Sequence, residues 1–423
     1  MKPTGVEWIG DIPDNWVKDK LFRLTEFVSS GGTPTSTNPD YYQDGNIVWI
    51  QTGDLNDSYV SETSKKITQY GLDNSSAKIF KQGTLLMAMY GATIGKLGIM
   101  TVDAATNQAC CAMKYNEKTD TKFMFYIFLA MKTHLINQSY GGGQPNISQD
   151  VVKQQYLCFP KYNEQKLIAN FLDKSTSQIE DAIKTKQAQL KTLETLKKSI
   201  IHKAVTKGLD DSVAMKDSGI EWIGKIPEHW KIVRVKDDLE FFTGKTPDTT
   251  NGEHYLGSNK WITIRDLGEL YITDTKQYIS DEYIKESKIR IAPKGSLLFS
   301  FKLTVGTVAL IEEPMYTNEA IAIFPPNTKT ITKYLYYSFG LYLKENAKTN
   351  IYGAALMNRD IIKGSKYLLP SKIEQHNIVC YLDEEIGKVE ILEQNVKKQV
   401  YKLKEYKKSL IYEYVTGKKQ VKE

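Results

Sequence analysis

"GVEWIGDIPDNW" at residues 5–16 returns as "GIEWIGKIPEHW" at residues 219–230, 214 positions further along a chain of 423. A phrase rich in Trp and Ile and broken by Gly and Pro, repeated at half the chain length, points to a duplicated unit. The match continues downstream of the phrase in both copies. "GGTPTSTNPDYY" from Gly31 answers to "GKTPDTTNGEHY" from Gly244, and "WIQTGDL" from Trp49 to "WITIRDL" from Trp261. "KQGTLLMAMYGATIG" from Lys81 pairs with "PKGSLLFSFKLTVG" from Pro293, and "TNQA" from Thr106 with "TNEA" from Thr317. "FPKYNEQKLIANFLD" from Phe159 pairs with "LPSKIEQHNIVCYLD" from Leu369. The offset drifts only from 214 to 210, so loops have changed length while one architecture is kept twice.

Each half contains two kinds of segment. Over 17–158 and 231–368, short apolar runs such as "NIVWIQT", "GTLLMAMYG" and "KWITIRD" alternate with Gly, Asn, Asp, Thr and Pro clusters, the pattern of strands and turns. Aromatic helical runs, "KFMFYIFLAMKTHL" and "KYLYYSFGLYLKEN", follow in each half. After Pro160 and Pro370 come more than forty residues without proline. Apolar residues recur at Ile168, Leu172, Ile179, Ala182, Leu190, Leu193, Leu196, Ile200 and Ala204, and 210 positions later at Ile378, Leu382, Val389, Leu392, Val400, Leu403, Tyr406, Leu410 and Tyr414. This period of about 3.5 is that of a coiled-coil seam. "SKIE" at Ser371 has capping-box spacing, and Gly208 and Gly417 are suited to stop the helices. The short linker between Lys207 and Gly219 reaches at most ~40 Å, so a second helix that pairs with the first must run back antiparallel.

The expected fold class is α+β: two mixed α/β domains joined by two long antiparallel helices in a coiled coil, with a pseudo-two-fold internal repeat. The expected divisions are 1–160, 161–214, 215–370 and 371–423. The connectivity implies a rod with a globular domain at each end.

Composition narrows the class of function. The chain is 41% hydrophobic and 25% charged, ordinary for a globular protein. No apolar run approaches the ~20 residues of a membrane span, so a cytoplasmic protein is expected. Cys110, Cys111, Cys158 and Cys380 have neither metal nor disulfide spacing and read as reduced structural thiols. A net charge of +6 permits a polyanionic partner.

The paired Trp-Ile-Gly/Ile-Pro/Trp phrases, the "EQ...I..LD" helix starts and the repeat of variable domain plus long helix resemble the specificity subunit of type I restriction-modification systems. The resemblance covers essentially the whole chain. It implies two target recognition domains, each reading one half of a bipartite asymmetric site in double-stranded DNA, with the coiled coil as ruler for the spacer. It implies methyltransferase subunits docked on the coil that methylate adenine N6, a restriction or motor subunit in some complexes, and no membrane partner. It implies no cofactor on this chain: S-adenosylmethionine, ATP and Mg belong to the partners.

The residues agree with a non-catalytic role. "NPDY" at Asn38 departs from an amino-methyltransferase tetrapeptide at Asp40 and reads as a turn. "GATIGKL" at Gly91 is one residue short of a P-loop and has Leu97 where a Mg²⁺-binding hydroxyl belongs. The alternative is a coiled-coil scaffold whose two globular domains bind proteins rather than DNA.

Base readers need donors and acceptors on loops or strand ends, with cations for phosphates. Candidates in the Gly-Thr-Pro loops are Thr33, Thr35, Ser36 and Asn38, and Lys245, Thr246 and Thr249. After the strand tryptophans they are Gln51 and Thr52, and Thr263 and Arg265. Before the long helices they are Gln144 and Asn146, and Asn358 and Arg359, with Lys96 and Lys302 near hairpin turns. Trp8, Trp222, Trp49 and Trp261 are expected in packed cores, and the repeated Trp phrase as a staple against the coil.

Overall fold

The structure is a computed structural model that describes residues 1–139, 146–349 and 355–421. It divides into two compact units, Met1–Gln187 with Lys398–Glu423, and Ala188–Lys397.

In the first unit the strand Leu85–Ala88 is buried at every position, because its sheet is covered on both faces. Leu85 and Met87 pack with Phe123, Ile127 and Met131 of the helix Thr121–Asn137, while Leu86 and Ala88 pack with Ile50, Phe80 and Ala104. Successive residues of a strand face opposite ways, and the adjacent Cys111 and Cys110 divide between the same two cores. The sheet runs Thr25–Ser30, Cys110–Tyr115, Leu85–Ala88, Leu97–Met100, Ser58–Val60, antiparallel except for the last pair. A second sheet runs Lys66–Ile67, Ile47–Ile50, Ala104–Thr106, Ile79–Phe80.

The second unit repeats this order: Phe242–Thr243, Ile321–Phe324, Leu297–Ser300, Val308–Ile311, Tyr271–Ile272, again with a parallel last pair. Its smaller sheet keeps Tyr278–Ile279, Asn259–Ile262 and Tyr316–Thr317, and the fourth strand shrinks to a bridge between Ala292 and Met315. In each unit the chain enters and leaves the mixed domain on paired strands. Val17–Lys20 lies antiparallel to Tyr156–Phe159, and Lys231–Arg234 to Lys366–Leu369.

The long helices are Tyr162–Lys207 and Lys372–Val415, of 46 and 44 residues. They run antiparallel. In the first unit Phe171 packs on Tyr414 at 4.5 Å and Glu180 pairs with Lys407; in the second, Lys197 pairs with Glu390. The seam departs from the expected one at its middle. Leu196, Leu392 and Tyr406 are exposed at 45%, 51% and 55%, and the next positions, Lys197 and Lys407, turn toward the partner helix instead. Both lysines reach a glutamate across the pair, and the two ion pairs are repeats of each other. A 3.6-residue helix drifts against a strict 3.5 repeat, which shifts the inner row by one residue.

The repeated Trp phrase joins these helices to the domains. Trp16 and Trp230 are each 1% exposed, and their indole N–H groups donate to Glu164 and Glu374 at 3.1 and 3.0 Å. These glutamates stand in the first turns of the two long helices. The other ends arrive at the same places. Gly417, at φ +71°, has room for no Cβ: one would lie 2.4 Å from Pro13 Cδ; at Gly208, φ +76°, a Cβ would lie 3.3 Å from the Trp230 ring. Each phrase therefore clamps the start of one helix and the glycine stop of the other.

The rest of the "EQ...I..LD" motif has matching duties. Gln165 and Gln375 are buried and accept from the backbone of Asp120 and Ile331, at the first turn of each domain's aromatic helix, at 2.9 and 2.8 Å. Asp173 receives Lys122 and Tyr126, and Asp383 receives Lys333 and Tyr337, all at 2.7 or 2.8 Å. Trp8 and Trp222 are half-buried, against His134 at 6.1 Å and Tyr342 at 5.5 Å. Cys110, Cys111 and Cys158 are buried free thiols; Cys380, expected to be structural, is an exposed one.

Candidate nucleic-acid interface

In both units the Gly-Thr-Pro loop is held by the strand that carries the central tryptophan. Trp49 and Trp261 are buried, and their indole N–H groups donate to the carbonyls of Gly32 and Lys245 at 3.1 and 3.0 Å. The loop passes so close to the neighbouring strand that a Cβ at Gly31 would lie 1.9 Å from the Thr106 carbonyl oxygen, and at Gly244 1.8 Å from that of Thr317. Only glycine permits that approach. The next threonine is thereby aimed at one side chain: Thr33 donates to Gln108, and Thr246 to Glu319. Gln108 and Glu319 are the single variable letter of "TNQA" and "TNEA". Sequence reasoning passed over both, although a lone variable position inside a matched motif was the available signal.

The second unit gathers its candidates around a cavity of about 470 Å³ lined by Ile264, Phe301, Lys302, Leu303, Asn318, Glu319, Ala320, Ala355 and Met357. Backbone bonds bring these segments together: Asn318 N–H donates to Ile262 O at 2.9 Å, and Phe301 N–H to Ala320 O at 3.1 Å. Lys302 Nζ stands 3.7 Å from Glu319, which also takes Thr246. The strand end after Trp261, the hairpin turn, the Gly-Thr-Pro loop and the segment before the helix Arg359–Gly364 thus converge on one face. Lys302 is exposed at the cavity, Arg265 and Arg359 are exposed on the segments that supply its lining residues Ile264 and Met357, and Thr249 is exposed on the loop. Lys245 is exposed too, but its ammonium is bound to the Ser287 carbonyl. Thr263 gives its hydroxyl to Asp266 at 2.8 Å, and Asn358 caps its helix by accepting from Ile361 N–H at 2.8 Å. Thr263 thereby commits its hydroxyl donor to the fold, and Asn358 its amide oxygen.

In the first unit, Thr35 and Ser36 are exposed, and Asn38 caps the turn Pro39–Tyr41 by accepting from Asp40 N–H at 3.1 Å. Asn251 caps the equivalent turn of the second unit, so "NPDY" and its counterpart "NGEH" are both Asn-capped turns. Gln51 and Thr52 are half-buried at the strand end, joined to the loop's partner strand through Asn107 N–H and Ile50 O at 3.0 Å. Asn146 is exposed and bridges to Tyr90, which holds the place of Lys302. Gln144 lies outside the described residues. Lys96 follows the hairpin turn of the first unit. It stands on the returning strand side of the hairpin, where its ammonium meets Asn56 at 3.4 Å, and it is not the equivalent of Lys302. The "GATIGKL" stretch is the turn between the strands Leu85–Ala88 and Leu97–Met100, not a phosphate loop.

Chemically, these faces offer hydroxyls, amides and guanidinium groups beside lysines, on rigid strand ends. They suit polyanion contact and base-edge hydrogen bonding. Among the described residues, no group of three or more His, Cys, Asp or Glu is placed to hold a metal ion, and no helix is long and apolar enough to cross a membrane.

A family model described as "Type I restriction modification DNA specificity domain" matches residues 13–192 and 227–402. The MjaVIII type I restriction enzyme specificity subunit of Methanocaldococcus jannaschii is 23% identical over 427 residues, spanning 97% of this chain and 94% of the relative. The MjaIX specificity subunit of the same organism is 31% identical over 166 residues, 38% of each chain. Among solved structures, one described as "Structural basis underlying complex assembly and conformational transition of the type I R-M system" superimposes with a TM-score of 0.75 at 17% identity, covering 96% of this chain and 98% of the other. The HsdS subunit from Thermoanaerobacter tengcongensis does so with a TM-score of 0.54 at 16% identity, covering 96% and 98%.

Proposed function

The chain belongs to the type I restriction modification DNA specificity family, and from that premise we propose that each unit reads one half of a bipartite site in double-stranded DNA. Supplying sequence specificity to a type I restriction-modification complex is the function of this family. The observation that supports the two-reader assignment is a frame kept twice with different groups mounted on it. Thr33 meets a neutral Gln108 where Thr246 meets a charged Glu319, and Gln51-Thr52-Gly53 stands where the other unit has Thr263-Ile264-Arg265.

In this reading Arg265 pairs with a guanine edge and Gln51 with an adenine. Thr33, Thr35, Ser36, Thr52, Asn146, Thr246 and Thr249 supply further base or sugar contacts. Lys302 and Arg359 neutralise phosphates, with Lys245 joining them if it exchanges its carbonyl for DNA. Asn38, Thr263 and Asn358 shape the backbone rather than read bases. The chain performs no catalysis: methyl transfer to adenine, with its S-adenosylmethionine, and any ATP- and Mg-dependent restriction reside on partner subunits in the cytoplasm. The methyltransferase subunits dock on the long helices, where Leu196, Ile391, Leu392, Tyr401 and Tyr406 are exposed apolar residues.

The test is selection from a random-sequence duplex library by the chain in complex with its methyltransferase partner. Two short motifs at fixed spacing are expected, and Arg265→Ala should erase a guanine from one of them only, at a cost of about 1–3 kcal/mol. Enrichment of no DNA motif, with domains that bind proteins instead, would reject this function.

A further inference from the structure

The hairpin that ends in Lys302 differs between the units in a way that base-edge hydrogen bonding does not use. In the first unit the turn is Tyr90-Gly91-Ala92-Thr93, and Gly91 takes a left-handed φ of +79°. The second unit is one residue shorter and puts Leu303 at that place, with φ +59°. Thr304 N–H donates to Lys302 O at 2.8 Å, closing a three-residue turn centred on the leucine, the strained kind of γ-turn. A γ-branched side chain is disfavoured in this region, and nothing in the fold repays it: Leu303 is 87% exposed.

The turn is nevertheless held deliberately. Ser300, fully buried, bonds the Lys302 carbonyl and the Thr304 hydroxyl, both at 3.1 Å. The first unit has Ala88 at this position and no such brace. Strain maintained by a dedicated buried group, at the rim of the cavity on the candidate face, is the arrangement expected of a functional side chain.

Resting on the DNA-reading function above, we propose that Leu303 is a specificity-determining residue that reads thymine through its 5-methyl group. The flanking charge favours DNA as the occupant: Lys302 is its neighbour, and Arg265 and Arg359 are exposed on the segments around the same cavity. Among base edges in the major groove, the thymine methyl is the apolar feature, so an aliphatic side chain presented beside Lys302 has one natural target. The first unit, with glycine and alanine at this turn, lacks the reader.

The test uses the complex of the full chain with its methyltransferase partner and duplexes carrying the motif it selects. Replacing the relevant thymine by deoxyuridine removes only the methyl group. Wild-type binding is expected to weaken about fourfold, the value of one buried methyl group. Leu303→Gly, which suits the left-handed turn, is expected to bind both duplexes equally and to melt at a higher temperature than wild type. The other half-site should stay unchanged. If wild type selects a bipartite motif, but every thymine-to-deoxyuridine exchange affects wild type and Leu303→Gly alike, the proposal is overturned while DNA reading stands. Loss of methyltransferase co-purification by Leu303→Gly, with an unaltered motif, would make the residue a protein contact and overturn it too. If wild type selects no motif, the failure is that of the DNA-reading function itself.

Discussion

Glu374 shows how much a single letter of a repeated motif can carry. Burial pushes its carboxyl up, but hydrogen bonds from His229, Ser371 and Trp230 outweigh it and hold the group down at about 2, against an ordinary 4.5. Its folded value lies below its unfolded one, so the stability it contributes is complete above about pH 4.5 and is lost as pH falls toward 2. Wild type should therefore lose denaturation midpoint more steeply than Glu374→Gln between pH 5 and pH 3, on the order of those values. Parallel slopes in urea titrations across that window would contradict the assignment. The phrase "EQ" was legible as a repeat. Its partners were not, because Trp16 and Glu164 stand 148 positions apart and Trp230 and Glu374 144, and spacing of that kind is decided by the fold. The same limit applied at the site: Trp49 and Trp261 read correctly as core, but their role in anchoring the Gly-Thr-Pro loop is a tertiary contact.

At the level of elements, the long helices and their ends were open to reading. The Ser371–Glu374 capping box is present in both directions, at 3.0 and 3.3 Å, and Gly208 and Gly417 take the left-handed values that stop a helix. The middle of the seam was misread because Leu and Tyr look more like seam residues than Lys does. Lys197 and Lys407 occupy the inner row and reach Glu390 and Glu180, a polar device that specifies register at a cost in stability. The double change Lys197→Leu and Lys407→Leu should raise the unfolding free energy by roughly 1 kcal/mol, measured from chemical denaturation followed by circular dichroism. A lowered midpoint would mean that the ion pairs outweigh apolar packing. The displaced Leu196 and Tyr406 should behave in the opposite way. Changing both to Glu should leave the midpoint within about 0.5 kcal/mol of wild type while weakening co-purification of the methyltransferase subunit. Normal assembly of that variant would remove these residues from the docking surface.

For the whole molecule, duplication was the most legible feature and the DNA face the least. Six matched stretches traced one topology through both halves, and each unit indeed has a five-stranded sheet of the same order. Which loops converge depends on backbone bonds such as Asn318 to Ile262, and no local pattern announces them. The central claim is that each unit reads its own half-site. Each mixed domain enters and leaves on a pair of adjacent antiparallel strands, with Val17 opposite Phe159 in the first. Residues 17–159 can therefore be exchanged as a block for those of a related subunit, leaving the Trp clamps and both long helices untouched. The decisive measurement is the methylome of cells that carry the methyltransferase partner with either the wild-type chain or this exchange. One half of the methylated motif should change to that of the donor, with the other half and the spacing unchanged. A motif altered in both halves, or in neither, would contradict two independent readers.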